Sequence, residues 1–128
     1  MEEKHRTGTL MEIVYPGDTN SQGTLFGGHA LSLMDRLAFI VASRFTRRPV
    51  VTACSEKIEF RSPVKEGERI ELVGTVTDDG RSSLRVRIEM QREDLLTGKR
   101  SLCTTGEFVM VAVDEEGRPT PIEATARL

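Results

Sequence analysis

Between Gly27 and about Arg44 the chain carries one helix-length segment that is apolar on nearly every side. Ala30, Leu31, Leu33 and Met34 are followed by Leu37 through Ala42 without a break. A surface helix needs only one apolar stripe, whereas a helix like this one needs cover over most of its circumference. The unbroken run ending at Ala42 is far too short to cross a bilayer, so protein has to supply the cover. Arg44, Arg47 and Arg48 suit the negative end of the helix dipole, and Pro49 stops the helix.

After Pro49 the hydrophobic period changes from that of a helix to two. Val50 to Arg61 reads as a strand, with Ile58 and Phe60 on one face and Lys57, Glu59 and Arg61 on the other. Pro63 and Gly67 make a turn. Ile70, Leu72, Gly74 and Val76 then alternate with other residues as far as Asp78-Asp79-Gly80. The cleanest alternation sets Leu84, Val86, Ile88 and Met90 against Arg85, Arg87, Glu89 and Gln91. Thr97-Gly98-Lys99 turns into a last strand from about Ser101 to Val113, and a β-prone stretch, Thr9 to Tyr15, precedes the helix. The layout predicts an α+β fold, a five-stranded antiparallel sheet with one face on a long helix and a solvated outer face of arginines and glutamates. One helix covers five strands incompletely, and the helix is itself too apolar for one sheet. A two-fold dimer is the simplest way to supply the missing cover.

The 128 residues fit a single domain, 1–128, with flexible ends expected at about 1–7 and 120–128. A net charge of −2, with 14 arginines scattered rather than clustered, gives no reason to expect nucleic acid. The N-terminus lacks the apolar stretch of a signal peptide. Cys54 and Cys103 have no metal-ligand spacing, and read as two reduced, buried thiols in a cytoplasmic protein. No His/Cys/carboxylate cluster suggests a metal, and no Gly-x-Ser-x-Gly turn suggests a serine nucleophile.

The residues that stand out chemically lie around the start of the helix. Asp is a poor residue for a helix interior, yet Asp35 has Leu31, Ala38 and Phe39 as its helical neighbours. It is either a general base or nucleophile, or a structural carboxylate paired with an arginine. Gly27-Gly28 leave the first backbone N–H groups uncovered where the dipole favours negative charge, a place for an oxyanion. Gly27 and Asp35 lie roughly 12 Å apart along the axis, too far to touch one atom within one helix. Asn20, in the loop Asp18-Thr19-Asn20-Ser21-Gln22, is either part of a polar turn or a hydrogen-bond donor to a carbonyl or a water. His29 reads as structural, or as lining a substrate entrance. Arg61 and the donor-rich turn Gly80-Arg81-Ser82-Ser83 are candidates for an anionic or amide-bearing ligand tail. Strict alternation would put Glu56 on the apolar face unless a bulge near Ser55 turns it out or it meets a partner subunit.

With these residues assembled, the chain resembles the hotdog-fold acyl-coenzyme A thioesterases of the acyl-CoA hydrolase family. The resemblance runs from about Thr9 to Pro121. Its most specific part is Pro16-x-Asp18-Thr19-Asn20-x-x-Gly23-x-Leu25-Phe26-Gly27-Gly28 followed by Met34-Asp35. Later blocks are Phe60-Arg61-x-Pro63-Val64 and Val111-Ala112-Val113-Asp114-x-x-Gly117-x-Pro119. The resemblance implies a helix wrapped by a curved sheet, homodimers with a continuous sheet, assembly as a trimer of dimers, and active sites at the dimer interface. It implies acyl-CoA hydrolysis, with Asp35 as the catalytic carboxylate, Asn20 assisting from the partner subunit, and Gly27 or Gly28 N–H polarising the thioester carbonyl. Arg81, Ser82 and Ser83 resemble the segment near pantetheine and nucleotide. No cofactor is implied, coenzyme A being part of substrate and product. His29 departs from many relatives, which leaves the acyl preference open. Two other activities fit the fold. An acyl-thioester hydratase or dehydratase usually needs an Asp/His pair on the helix, and no His lies within one turn of Asp35. A non-catalytic acyl-CoA sensor usually carries an output domain, for which 128 residues leave no room.

Overall fold

The computed structural model describes residues 5–122. Strand β1 spans Thr7–Ile13 and is followed by a 3-10 turn, Pro16–Asp18, and helix α1, Gly27–Thr46. Strands β2 (Val50–Phe60), β3 (Arg69–Asp79), β4 (Ser83–Glu93) and β5 (Arg100–Ala112) follow. They form one antiparallel sheet in the order β1-β3-β4-β5-β2, so β2 has a free edge. The expected α+β layout is the one found. The helix runs past Arg44 to Thr46, where Arg47 takes a left-handed conformation (φ 54°) and its N–H caps the Ser43 carbonyl.

Helix and sheet bury a common core. Leu33, Met34, Leu37, Ala38, Val41 and Phe45 of α1 meet Leu72, Val86, Ile88, Met90, Phe108 and Met110 of the strands. Close approach depends on glycines in the sheet. A Cβ on Gly74 would stand 3.0–3.3 Å from Ile88, Val41 and Leu37, and one on Gly106 would stand 2.9 Å from Met34 Cε. Those contacts fix the rotation of the helix about its axis. They leave Gly28, Ser32, Asp35, Arg36, Phe39 and Ile40 exposed. Phe39 is 50% exposed and Ile40 42%, an apolar stripe left without cover by this chain.

Three expectations change. Asp35 is exposed rather than enclosed by its apolar neighbours, because its side of the helix is the uncovered one. Cys54 is exposed on β2 and only Cys103 is buried, where burial pushes its thiol pKa up. The inner edges of the expected flexible ends belong to the fold. Thr7 lies in β1, Thr120 N–H donates to the Ala112 carbonyl, and Ile122 is 2% exposed. The rest of those ends, 1–4 and 123–128, lies outside the described residues.

Glu56 does turn outward, by a bulge near Ser55 as expected, its extra residue being Ala53. The register passes from Thr52↔Met110 to Cys54↔Val109, which inverts the alternation from Cys54 to Glu56, and a second shift between Glu56 and Glu59 restores it. Glu56 then pairs with Arg85, whose guanidinium also reaches Glu107 at 3.1 Å. Arg85 holds the Glu56 carboxyl below its ordinary value, and the arginine's own pKa is raised in return.

Candidate active site

Helix α1 begins without a side-chain cap. Its N-cap residue is Phe26, in extended conformation (φ −60°, ψ 135°), and offers no oxygen to the first N–H groups. The N–H groups of His29 and Ala30 bond back to the Phe26 carbonyl. Those of Gly27 and Gly28 have no such bond, and they differ in access. A Cβ on Gly27 would lie 3.4 Å from the Phe60 ring, whereas one on Gly28 would meet nothing within 4 Å. Gly28 is the open position, where an oxygen can approach the dipole and an unpaired donor together.

The Asn20 loop is tied to this helix start. Phe26 N–H donates to the Asp18 carbonyl, Leu25 N–H to that of Val64, and Glu66 N–H to that of Gly23. Asn20 itself belongs to both of its expected descriptions. Its Oδ1 accepts from Gln22 N (2.9 Å), Thr24 N (3.2 Å) and Thr24 Oγ1 (3.2 Å). The two backbone donors identify that atom as oxygen, so the side-chain amide nitrogen projects as a donor. Asn20 can therefore give a hydrogen bond to a carbonyl or a water but has no acceptor left to offer. Asp18 accepts from Tyr15 N–H at 3.0 Å, and His29 Nε2 stands 3.5 Å from its other oxygen. His29 thus joins the loop to the first turn of the helix.

Two turns on, Asp35 Oδ1 accepts a hydrogen bond of 2.6 Å from Thr52 Oγ1, which has Met110 Sδ at 3.5 Å on its other side. The bond orients the carboxylate and leaves Oδ2 free. No arginine pairs with Asp35 among the described residues. Thr52 was missed by sequence reasoning, yet it carries a signal: it shares its parity with buried Val50 on the helix-facing side of β2, where a hydroxyl can reach a side chain of the helix. The bulge at Ala53 follows it directly, a usual place for a side chain to be re-aimed.

The other predicted residues divide between the two ends of the sheet. Arg61 lies near the helix start, paired with Glu59 at 3.0 Å, on the rim of a hollow of about 320 Å³ beside Gly27. Arg81, Ser82 and Ser83 lie at the opposite end, in the β3–β4 turn, where the Arg81 and Ser82 carbonyls accept from Ile122 and Ala112. One chain does not bring that turn to the glycines. A larger, shallow hollow of about 680 Å³ near Leu95 and Leu96 contains none of the predicted residues.

A five-stranded antiparallel sheet with one long helix is the hotdog fold. The thioesterase superfamily matches over residues 22–99, and the chain belongs to that family. Among its relatives is an uncharacterised acyl-CoA thioester hydrolase of Bacillus subtilis, 39% identical over 109 residues, 85% of this chain and 63% of that protein. The chain therefore spans less than two thirds of that relative's length. A hexameric acyl-CoA thioesterase, solved without ligand, superposes with a TM-score of 0.89 at 39% identity, over 91% of this chain and 75% of that one. An acyl-CoA hydrolase of Staphylococcus aureus, solved with butyryl-CoA, coenzyme A and coenzyme A disulfide, gives a TM-score of 0.86 at 31% identity, over 91% and 71%. That protein has also been solved with an asparagine, an aspartate and a threonine each replaced by alanine.

Proposed function

We infer that this protein hydrolyses acyl-CoA to a free carboxylic acid and coenzyme A, at a site shared by two subunits. The observation that carries the reading is a coincidence of spacing. The three positions replaced in the S. aureus enzyme are separated by 15 and 17 residues, as are Asn20, Asp35 and Thr52 here. Two of these three are hydrogen-bonded to each other in this chain. The thioester oxygen binds at Gly28 N–H, which strengthens its bond as negative charge grows on that oxygen. Asp35 Oδ2 takes a proton from the water that attacks the carbonyl carbon; if it attacks that carbon itself, the thiolate leaves first and water then hydrolyses the mixed anhydride, regenerating Asp35 and supplying the thiol proton. Asn20 donates to the carbonyl or to the water. Collapse of the tetrahedral adduct breaks the C–S bond, and the departing thiolate takes up the proton. The chemistry calls for no metal or redox cofactor.

The dimer supports this reading through geometry. Gly28 and Asp35 are seven residues apart, about 10 Å along one helix, so one carbonyl meets both only when they come from different copies. Joining two β2 edges antiparallel about a two-fold axis would cover Val51, 48% exposed, and bring the uncovered helix stripes together. It would also bring the Arg81-Ser82-Ser83 turn of one copy to the helix-start end of the other. Thiol release from a panel of acyl-CoAs, short to long, tests the reading. Asp35→Asn should lower kcat with a much smaller change in KM. Stoichiometric acyl-CoA binding without thiol release, or a folded Asp35→Asn with full kcat, would overturn it.

A further inference from the structure

Along β4 the buried residues Leu84, Val86, Ile88 and Met90 recur at every second position, and the next in step is Arg92. A guanidinium at the end of an apolar row has to find acceptors there, and Arg92 finds three. Its Nε donates to Ser101 Oγ at 3.0 Å, while its Nη1 donates to the Pro63 carbonyl at 2.9 Å and reaches Glu68 Oε1 at 3.4 Å. Glu68, its side chain only 14% exposed, also accepts from Lys65 N–H at 2.7 Å. Arg92 and Glu68 thus hold the turn between β2 and β3 at Pro63 and at Lys65.

That turn in turn supports the start of α1. The helix has no side-chain cap, so the place of its first turn depends on backbone bonds made by the residues just before it. Leu25 N–H ends on the Val64 carbonyl at 2.8 Å, and the Gly23 carbonyl accepts from Glu66 N–H at 3.2 Å. Thr24, which gives two of the three hydrogen bonds that fix Asn20 Oδ1, forms a bridge with Lys65. The segment from Pro63 to Glu66 therefore supports both donors assigned to the substrate, Gly28 N–H and the Asn20 amide. Asp35 and Thr52 stand apart from it, on the middle of α1 and on β2, and in a shared site they come from the other copy. A donor misplaced by about 1 Å can cost about a hundredfold in rate. We propose that Arg92 is a positioning residue of this enzyme: through Pro63 and Glu68 it holds the turn that sets Gly28 N–H and the Asn20 amide, without itself touching substrate. The proposal rests on the acyl-CoA reading and adds to it a residue that reaches the reaction only through those two donors.

Arg92→Met keeps the aliphatic stem and removes every donor. Because it leaves the Glu68 carboxylate without its cation, it is also made together with Glu68→Gln, where both charges are gone and the fold loses less. Thiol release from the acyl-CoA that the parent turns over fastest should fall about ten- to a hundredfold in kcat for both proteins, with the parent's circular dichroism and light scattering kept. The decisive readout is coupling between sites. Introduced into Gly28→Pro or into Asn20→Ala, where one of the two donors is already lost, Arg92→Met should cost a smaller factor than in the parent. Introduced into Thr52→Val, it should cost the full factor. Equal factors in all three backgrounds would show a general loosening of the fold and overturn the proposal. A kcat within about threefold of the parent's would overturn it too, as would failure of both Arg92 proteins to fold. Absence of turnover by the parent on any acyl-CoA removes the acyl-CoA reading and this proposal together, whereas the other failures remove this proposal alone.

Discussion

Replacing Gly28 by proline deletes one backbone donor at the place where the oxyanion is expected. The fold should tolerate it. The Gly28 N–H belongs to the first turn, where no intrahelical acceptor exists, and Phe26 supplies no cap. Proline is accepted in that turn, a Cβ there meets nothing within 4 Å, and Gly27 before it is the residue least restricted by a following proline. The folded state loses no hydrogen bond, and the stiffer unfolded chain contributes ~0.5 kcal/mol in its favour. Activity should respond quite differently, because one oxyanion donor is worth a factor of about 10²–10³ in kcat, or about 2.7–4 kcal/mol. Gly28→Ala, which keeps the N–H, measures the effect of crowding alone. Thiol release, circular dichroism and thermal melting on the three proteins give the answer. Gly28→Pro should melt within a few degrees of the parent and turn over at least about a hundredfold more slowly, with Gly28→Ala much nearer the parent. A folded Gly28→Pro within about threefold of parental kcat would refute the assignment, as would a fall no larger than that of alanine.

Two further outcomes follow from the edge strand and the outer face. Val51→Arg places a charge on the free edge of β2, the usual means of keeping edges apart. It should split the assembly to monomers by light scattering and abolish thiol release while the chain stays folded; full activity from a monomer would contradict the shared site. Glu56→Gln should be less stable than the parent at neutral pH, because Arg85 holds the Glu56 carboxyl below its ordinary 4.5 in the fold. That lowered value makes the contribution fully present above about 4.5 and lost as pH falls through it. The difference should vanish in acid and shrink in about 0.5 M salt, since both groups are partly open to solvent. A difference that grows toward low pH would show that the pair has been misread.

Most of the fold was legible because it depends on periodicities. The unbroken apolar run from Leu37 to Ala42 identified a helix needing cover, and the alternation from Leu84 to Gln91 identified a strand with one buried face. Bulges break that arithmetic. Ala53 inverts the alternation of β2 as far as Glu56, so Glu56 faces Arg85, and no residue type at 53 announces it. The candidate site was legible in parts: Asp35, Asn20 and the glycine pair stand out as residues of the wrong kind for a plain helix and turn. Thr52 did not stand out, because a threonine in a strand is ordinary until its partner is known. Cys54 reads as a buried thiol only while β2 is taken for an inner strand; it is an edge strand of one chain.

The sequence by itself determined that a single helix must be wrapped by a sheet, and that a carboxylate and two unshielded N–H groups lie along that helix. These are consequences of local spacing, which the chain carries in its order of residues. Only the tertiary structure decided which side of the helix stays uncovered, since that rotation is set by the approach of Met34 to Gly106 and of Leu37 and Val41 to Gly74. It also decided that Asp35 meets Thr52, that Gly28 rather than Gly27 is open, and that Asn20 presents its amide nitrogen. Each of these is a contact between segments distant in the chain, or a choice between two orientations of one group, and close packing selects it where periodicity cannot.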